Sequence, residues 1–163
     1  MEVLKIISKS GKETKKIGKI LGIFFAKEKV FLNNALVIAL QGDLGAGKTT
    51  FVQGFAQGLG IKESIKSPSF ALLKIFDLPA VALAKAGLSG KFNHLLHFDF
   101  YRLEKPTKKE LNAFNFSEFL KNPQNLIIAE WSEKVKKFLP KRYLKIKFKI
   151  LGKNTRELKF AII

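Results

Sequence analysis

Apolar residues recur along this chain with two spacings, one typical of helices and one typical of strands. Between Ile17 and Phe25 they stand three or four positions apart, which predicts an amphipathic helix over residues 14–29. A continuous apolar run over residues 35–40 is too short for such a helix and predicts a buried strand.

A glycine-rich loop follows that strand over residues 42–47. Helical spacing returns over residues 48–59, and Gly60 is suited to end this second helix. The predicted order is therefore strand, glycine-rich loop, helix.

Shorter elements are predicted in the rest of the chain. Strands are predicted over residues 70–76, 94–100 and 126–129, and short helices over residues 106–114 and 116–120. Residues 78–93, with Pro79, Gly87 and Gly90, are typical of a variable loop. Residues 143–150 alternate between apolar and basic side chains, and residues 157–163 return after a turn, which predicts an antiparallel hairpin.

These elements predict an α/β fold, a three-layer sandwich of the P-loop NTPase type. We expect a mostly parallel sheet with helices on both faces and the antiparallel C-terminal hairpin at the edge. The length of 163 residues and the lack of a linker predict one domain over residues 1–163.

Composition excludes several kinds of site. The chain has no Cys, so it has neither disulfides nor thiolate metal sites, and two His residues are too few for a His-built metal centre. Carboxylates could still hold Mg²⁺. The N-terminus does not resemble a signal peptide and no stretch of about 20 apolar residues occurs, so the expected location is the cytoplasm.

The formal net charge of +17 leaves two interpretations open. Such a charge favours an acidic partner, for example a nucleic acid. However, Arg102, Arg142 and Arg156 are the only arginines among the 30 basic residues. Lysines spread along the whole chain are also typical of a general compositional bias.

The glycine-rich loop and the start of its helix, GDLGAGKT, fit the Walker A pattern G-x-x-x-x-G-K-[ST]. Its glycines let backbone N–H groups surround a phosphate, and the helix N-terminus attracts the same anion. We expect Lys48 to neutralise the β- and γ-phosphates, Thr49 to bind Mg²⁺ and Thr50 to reach the α-phosphate. The expected nucleotide-binding residues here are Gly42, Asp43, Leu44, Gly45, Ala46, Gly47, Lys48, Thr49 and Thr50.

Two acidic residues at the ends of apolar segments are candidates for the metal and phosphate side of the site. Glu130 ends the run LIIA, and Asp99 lies within LLHFDFYRL. Buried acids are costly unless they are paired or metal-bound. A helix cap or an ion pair remains an alternative for either.

Neighbouring residues are ambiguous. His97 shares strand parity with Asp99 and could face the same side, or it could simply pack. The segment around Ser67 could be a switch that senses the γ-phosphate or a simple turn. Trp131 could be a core residue or could border the site.

Taken together, GDLGAGKTTFVQGFAQGLG, KSPSF, HFDFYRL and IIAEW resemble the TsaE (YjeE) family, in order, over about residues 14–133. Ser69 and Phe100 replace the threonine and leucine usual in the family, and the segment over residues 78–93 is longer than usual.

The resemblance implies a bacterial Mg²⁺-dependent ATPase. It would act with TsaD-like and TsaB-like proteins to make threonylcarbamoyladenosine in tRNA, reaching the tRNA indirectly through that complex. It would reset or activate the complex and would not itself transfer the threonylcarbamoyl group.

The resemblance also implies roles for individual residues. Thr49 and Glu130 would hold Mg²⁺, and Asp99 would lie by the γ-phosphate. Thr14 would lie near the adenine, and Arg156 would approach the nucleotide. Alternatives are a small P-loop kinase or a basic RNA-binding module; no Asn-Lys-x-Asp segment is present to favour a GTPase.

Overall fold

The computed structural model describes residues 3–27, 33–68, 71–78 and 92–163. In this part of the chain seven strands form one sheet with helices on both faces, so the protein is of the mixed α/β class. The strands are β1 (Val3–Ser8), β2 (Leu36–Gln41), β3 (Leu73–Asp77), β4 (His94–Asp99), β5 (Asn125–Glu130), β6 (Leu144–Ile150) and β7 (Arg156–Ile162). The helices are α1 (Gly11–Lys27), α2 (Lys48–Gly58), α3 (Lys108–Ala113) and α4 (Phe116–Lys121), and a 3-10 helix (Ser132–Phe138) follows β5.

The strand order is β1-β7-β6-β2-β5-β4-β3. Strands β6, β2, β5 and β4 are parallel, whereas β3 runs antiparallel to β4, and β7 is antiparallel to both β6 and β1. Three of the six strand pairs are parallel, so the expectation of a mostly parallel sheet holds only for the centre of the described sheet. The antiparallel pairs lie at the two ends of the sheet, where β3 pairs with β4 and where β7 pairs with β6 and β1.

Strands β6 and β7 form the predicted antiparallel hairpin, with Leu144 opposite Ile162. The hairpin does not form the edge of the sheet, because β1 pairs with β7 along its whole length. The sequence of β1, VLKIIS, lacks the apolar–polar alternation that identifies a half-exposed strand. Its pairing with β7, which is distant in sequence, determines its conformation.

Helices α1 and α2 cover one face of the sheet and approach each other at glycines. A Cβ on Gly18 would lie 2.2 Å from the carbonyl oxygen of Phe51, and one on Gly54 would lie 1.8 Å from that of Lys15. This contact holds Phe51 and Phe55 in the core against the sheet. It also fixes the start of α1 beside the glycine-rich loop.

Helices α3 and α4 and the 3-10 helix cover the other face over β2, β4 and β5. Leu111, Phe116 and Val135 are buried there against Phe98. Thr107 begins α3 with a capping box, in which it exchanges hydrogen bonds with Glu110.

Most predicted elements are present with shifted ends. Helix α1 begins three residues before the predicted start, and the last two residues of the prediction lie outside the described part. Helix α2 ends as predicted before Gly60, whose φ is +84°. Of the predicted strand over residues 70–76, residue 70 lies outside the described residues, as does most of the predicted loop, residues 79–91. No helix among the described residues is long and apolar enough to cross a membrane.

Candidate functional site

The glycine-rich loop connects the end of β2 to the start of α2. Gly42, Gly45 and Gly47 have φ angles of +136°, +75° and +95°, which side chains on L-residues disfavour. A Cβ on Gly42 would also lie 2.5 Å from the carbonyl oxygen of Phe148, so the loop passes close over β6. These turns wrap the chain around the N-terminus of α2, where unpaired N–H groups and the helix dipole favour an anion.

Lys48, the first residue of α2, is 4 % exposed. Its ammonium donates hydrogen bonds to the carbonyl oxygens of Gly42 and, at 2.9 Å, Asp43, and lies 4.1 Å from the centre of the Trp131 ring. Burial lowers the pKa of Lys48 from its ordinary value, and nearby carboxylates offset this only in part. Those carboxylates belong to Glu130, Glu133, Asp99 and Asp43. The result is a poorly hydrated amine at the mouth of the loop, where an added anion would favour its charged form.

Glu130 is the last residue of β5, which pairs with β2. Its carboxylate accepts a hydrogen bond from Thr49, the residue that follows Lys48 in α2. The Thr49 hydroxyl lies 3.0 Å from each carboxylate oxygen of Glu130. On the other side, His97 Nε2 lies 2.8 Å from Glu130 Oε1. Both Glu130 and His97 are buried, so three side chains from three separate elements fix one another.

The Thr49–Glu130 pair suits a hard divalent cation. Mg²⁺ prefers oxygen ligands and is commonly held by one or two carboxylates together with phosphates and water. The described residues contain no group of three or more His, Cys, Asp or Glu side chains that could hold a metal alone. One carboxylate and one hydroxyl beside a phosphate-type loop fit Mg²⁺ that is shared with a phosphorylated ligand.

Asp99 ends β4 in register with Glu130. It is 3 % exposed; one carboxylate oxygen accepts a hydrogen bond from the Tyr101 backbone N–H at 3.0 Å, and the other accepts one from the Ser67 hydroxyl. His97 and Asp99 are on the same face of β4, as their parity predicted, and this face looks toward α2.

A cavity of ≈ 300 Å³ joins these groups. Most of the residues that the sequence marked as candidates line it: Thr14, Leu44, Gly45, Ala46, Gly47, Lys48, Thr49, Thr50, Asp99, Glu130 and Arg156. Gly42 and Asp43 are not in the lining, and their carbonyl oxygens accept hydrogen bonds from Lys48.

Thr14 and Arg156 both lie close to Gly47 of the loop. A Cβ on Gly47 would lie 3.4 Å from Thr14 Cγ2 and 3.6 Å from Arg156 Nε. The Thr14 hydroxyl is already engaged by Ser8 at 2.8 Å, and an Arg156 guanidinium nitrogen lies 3.4 Å from the Gly45 carbonyl oxygen.

Three further residues line the cavity, and of these only Gly11 had no indication in the sequence. Gly11 is the first residue of α1, and the Ser67 hydroxyl donates a hydrogen bond to Asp99. The Trp131 ring lies beneath the Lys48 ammonium. Ser67 and Trp131 had been left open between structural and site roles. Trp131 has a left-handed φ of +56°, which directs the chain sharply away after Glu130; nothing in the one-dimensional pattern signals this turn.

Comparison with known proteins shows the family of this chain. The family model described as "Threonylcarbamoyl adenosine biosynthesis protein TsaE" matches residues 8–158. The chain belongs to the TsaE family.

Relatives named "tRNA threonylcarbamoyladenosine biosynthesis protein TsaE" match most of the chain. The protein from Bacillus subtilis is 32 % identical over all of this chain and 88 % of its own length. The protein from Rickettsia prowazekii is 36 % identical over 90 % of this chain and 87 % of its own length. The crystal structure of YdiB from Bacillus subtilis matches 98 % of this chain and 84 % of its own, with a TM-score of 0.69 and 29 % identity. The segment matched by the TsaE model spans every residue that lines the cavity.

Proposed function

We propose that this chain is a single-domain, Mg²⁺-dependent ATPase that serves the synthesis of threonylcarbamoyladenosine in tRNA. The observation that carries the proposal is the convergence of Lys48, the Thr49–Glu130 pair and Asp99 on one cavity at the N-terminus of α2. A P-loop NTPase requires a phosphate cradle, a cation, a metal ligand pair and an acid in this arrangement.

The phosphates would bind in the loop over residues 42–47. Its backbone N–H groups and the dipole of α2 favour negative charge, and Lys48 would turn from the carbonyl oxygens of Gly42 and Asp43 to the β- and γ-phosphates. Thr50 would lie near the α-phosphate. Thr14 and Arg156 border the opposite side of the loop, on which the nucleoside would lie.

Thr49 and Glu130 would hold Mg²⁺, which when bound would neutralise charge that develops on the phosphates. His97 is a positioning residue in this scheme. Its contact with Glu130 Oε1 restricts the carboxylate to the orientation that faces Thr49.

Asp99 would act on the γ-phosphate side of the cavity. The Tyr101 N–H and the Ser67 hydroxyl hold its carboxylate in place. A carboxylate fixed there can accept a hydrogen bond from an attacking water and so position it for in-line displacement.

The isolated chain is expected to hydrolyse ATP slowly. Phosphoryl transfer is accelerated by an additional positive group at the γ-phosphate, and Arg156 is directed toward the Gly45 carbonyl on the outer side of the loop. TsaD-like and TsaB-like partners would complete the site or order the segments around it. This dependence would couple hydrolysis to the modification of tRNA.

Nucleotide choice tests the proposal in a purified protein. Calorimetric titration with ATP, ADP and GTP in the presence of Mg²⁺ should show binding of both adenine nucleotides and no preference for GTP, because the sequence has no guanine-reading segment. Much tighter binding of GTP, or no binding of any nucleotide, would contradict the proposal. Co-purification of TsaD-like and TsaB-like proteins from cells tests the partners separately.

A further inference from the structure

Three strands that extend the sheet beyond β2 present lysines on one side. In the cross-strand register, Lys147 of β6 stands opposite Lys159 of β7, and Lys159 stands opposite Lys5 of β1. Lys145 and Lys149 lie two residues to either side of Lys147, so they point to the same side. We call this set the lysine face: Lys5, Lys145, Lys147, Lys149 and Lys159.

The lysine face lies on the side of the sheet away from α1 and α2. The intervening residues of the same strands, Ile6, Ile146 and Leu158 among them, point to the α1 and α2 side. Lys5, Lys147 and Lys149 are exposed, and Lys145 and Lys159 are half-buried. The helices of the second layer pack over β2, β4 and β5, so among the described residues no helix covers this antiparallel part of the sheet.

Like charges directly opposite one another on adjacent strands destabilise a sheet. Here three lysines form such a row, and the one acid in the neighbouring row, Glu157, pairs with Lys159 at 3.1 Å. Folding alone therefore does not explain this row of lysines. An anionic partner that lies across the three strands would offset the repulsion between them.

We propose that the lysine face binds the phosphate backbone of RNA. An acidic protein surface is the less suitable occupant, because lysine is depleted from the cores of protein–protein interfaces. Phosphate contacts, in contrast, are commonly made by lysines that act as point charges. The named relatives act in the biosynthesis of a tRNA nucleoside, so tRNA is the RNA to test first.

This inference differs from the expectation that tRNA is reached only through partner proteins. The face carries no arginine and no aromatic ring, so it lacks the groups that read or stack on bases. Binding should accordingly be salt-dependent and tolerant of sequence. Because the face lies across the sheet from α2, bound RNA would leave the cavity accessible, and the inference stands independently of ATP hydrolysis.

The test compares two triple variants of the whole protein. The first, Lys5→Gln, Lys147→Gln and Lys159→Gln, removes the cross-strand row. The matched control, Lys62→Gln, Lys109→Gln and Lys136→Gln, removes three exposed lysines elsewhere and gives the same net charge. Fluorescence anisotropy with a labelled tRNA transcript, repeated over a series of salt concentrations, gives the affinity and its salt dependence.

The row variant should lose affinity and show a slope of log K against log salt that is shallower by about 2 to 3, because each lost phosphate contact reduces the slope by about 1. The control should stay close to wild type. The melting temperature of the row variant should be unchanged or higher, since repulsion is relieved; a purely structural role would lower it.

Three outcomes would overturn the inference. One is equal loss in both variants, which indicates unspecific attraction to net charge. Another is the absence of tRNA binding by the wild-type protein at low salt. The third is unchanged tRNA binding by the row variant together with weaker binding of TsaD-like or TsaB-like proteins, which would assign the face to an acidic protein partner.

Discussion

His97 Nε2 lies 2.8 Å from Oε1 of Glu130, and both side chains are closed off from solvent. The same Glu130 carboxylate accepts a hydrogen bond from Thr49 at the start of α2. His97 Nδ1 has no hydrogen-bond partner in the described part of the chain. Within that part the contact to Glu130 is therefore the polar interaction that the buried ring makes, and it supports the carboxylate that we assign to Mg²⁺.

Replacement of His97 should reveal this support. His97→Leu removes the donor and should raise the Mg²⁺ concentration needed for half-maximal ATP binding, whereas His97→Gln keeps an N–H group and should raise it less. Direct Mn²⁺ binding followed by electron paramagnetic resonance should show the same order. His94→Leu, in the same strand but partly exposed, is the control. Unchanged metal dependence in a folded His97→Leu protein would assign His97 to packing alone.

The two acids should differ in what they control. Glu130→Ala should weaken Mg²⁺-dependent nucleotide binding, because it removes the carboxylate beside Thr49. Asp99→Ala should leave binding largely intact and lower hydrolysis, because its carboxylate is assigned to the γ-phosphate side. Calorimetry and phosphate release measure the two effects, and Glu104→Ala, at an exposed position, is the control. If both variants change binding and turnover in the same way, the division of roles is wrong.

The close approach of α1 and α2 should be intolerant of even one methyl group. Gly54→Ala would place a Cβ 1.8 Å from the Lys15 carbonyl oxygen, so the helices must separate. Overpacking of this kind costs roughly 1–3 kcal/mol. Gly152→Ala is a matched control, because a Cβ there meets nothing within 4 Å. Urea unfolding of the two variants measures the difference, and equal stabilities would show that the helix contact adjusts freely.

The capping box of α3 should make a pH-dependent contribution to stability. Hydrogen bonds from the Thr107 backbone and side chain lower the pKa of Glu110 from its ordinary value of 4.5. A depressed folded-state pKa gives stability that is present above 4.5 and is lost as the pH falls through the lowered value. Glu110→Gln should therefore be less stable than wild type at about pH 7, with the difference disappearing at strongly acidic pH. If the difference in stability does not depend on pH, the negative charge of Glu110 does not cause it.

The sequence allowed the central strand β2, the glycine-rich loop and α2 to be predicted, but not the strand at the β1 edge of the sheet. The apolar run before Gly42, the glycines and the periodic helix after Lys48 are local signals, so β2, the loop and α2 were predicted within a residue or two. Strand β1 depends on its pairing with β7, more than 140 residues away along the chain. Since no local pattern encodes that pairing, the extension of the sheet and the open lysine face could not be predicted.

The candidate site divides in the same way. Lys48 and Thr49 follow from a motif, and Glu130 and Asp99 from acids at the ends of apolar runs. The contact of His97 with Glu130 requires β4 and β5 to be neighbours in a defined register, with His97 opposite Ile128. The placement of Trp131 over Lys48 requires the left-handed turn after β5. Both relationships arise from the tertiary structure and have no counterpart in spacing along the chain.

The measurement that most directly tests the central claim is phosphate release from ATP by the wild-type protein, Lys48→Ala and the exposed-lysine control Lys62→Ala. Each protein would be assayed alone, then with TsaD-like and TsaB-like proteins, then with tRNA added. We predict slow release by the wild type and control alone and strong stimulation by the partners. We also predict a loss of about 100-fold or more in Lys48→Ala, as expected when a preorganised charge is removed. Near-normal turnover by a folded Lys48→Ala protein, or fast wild-type hydrolysis that the partners do not change, would contradict the account.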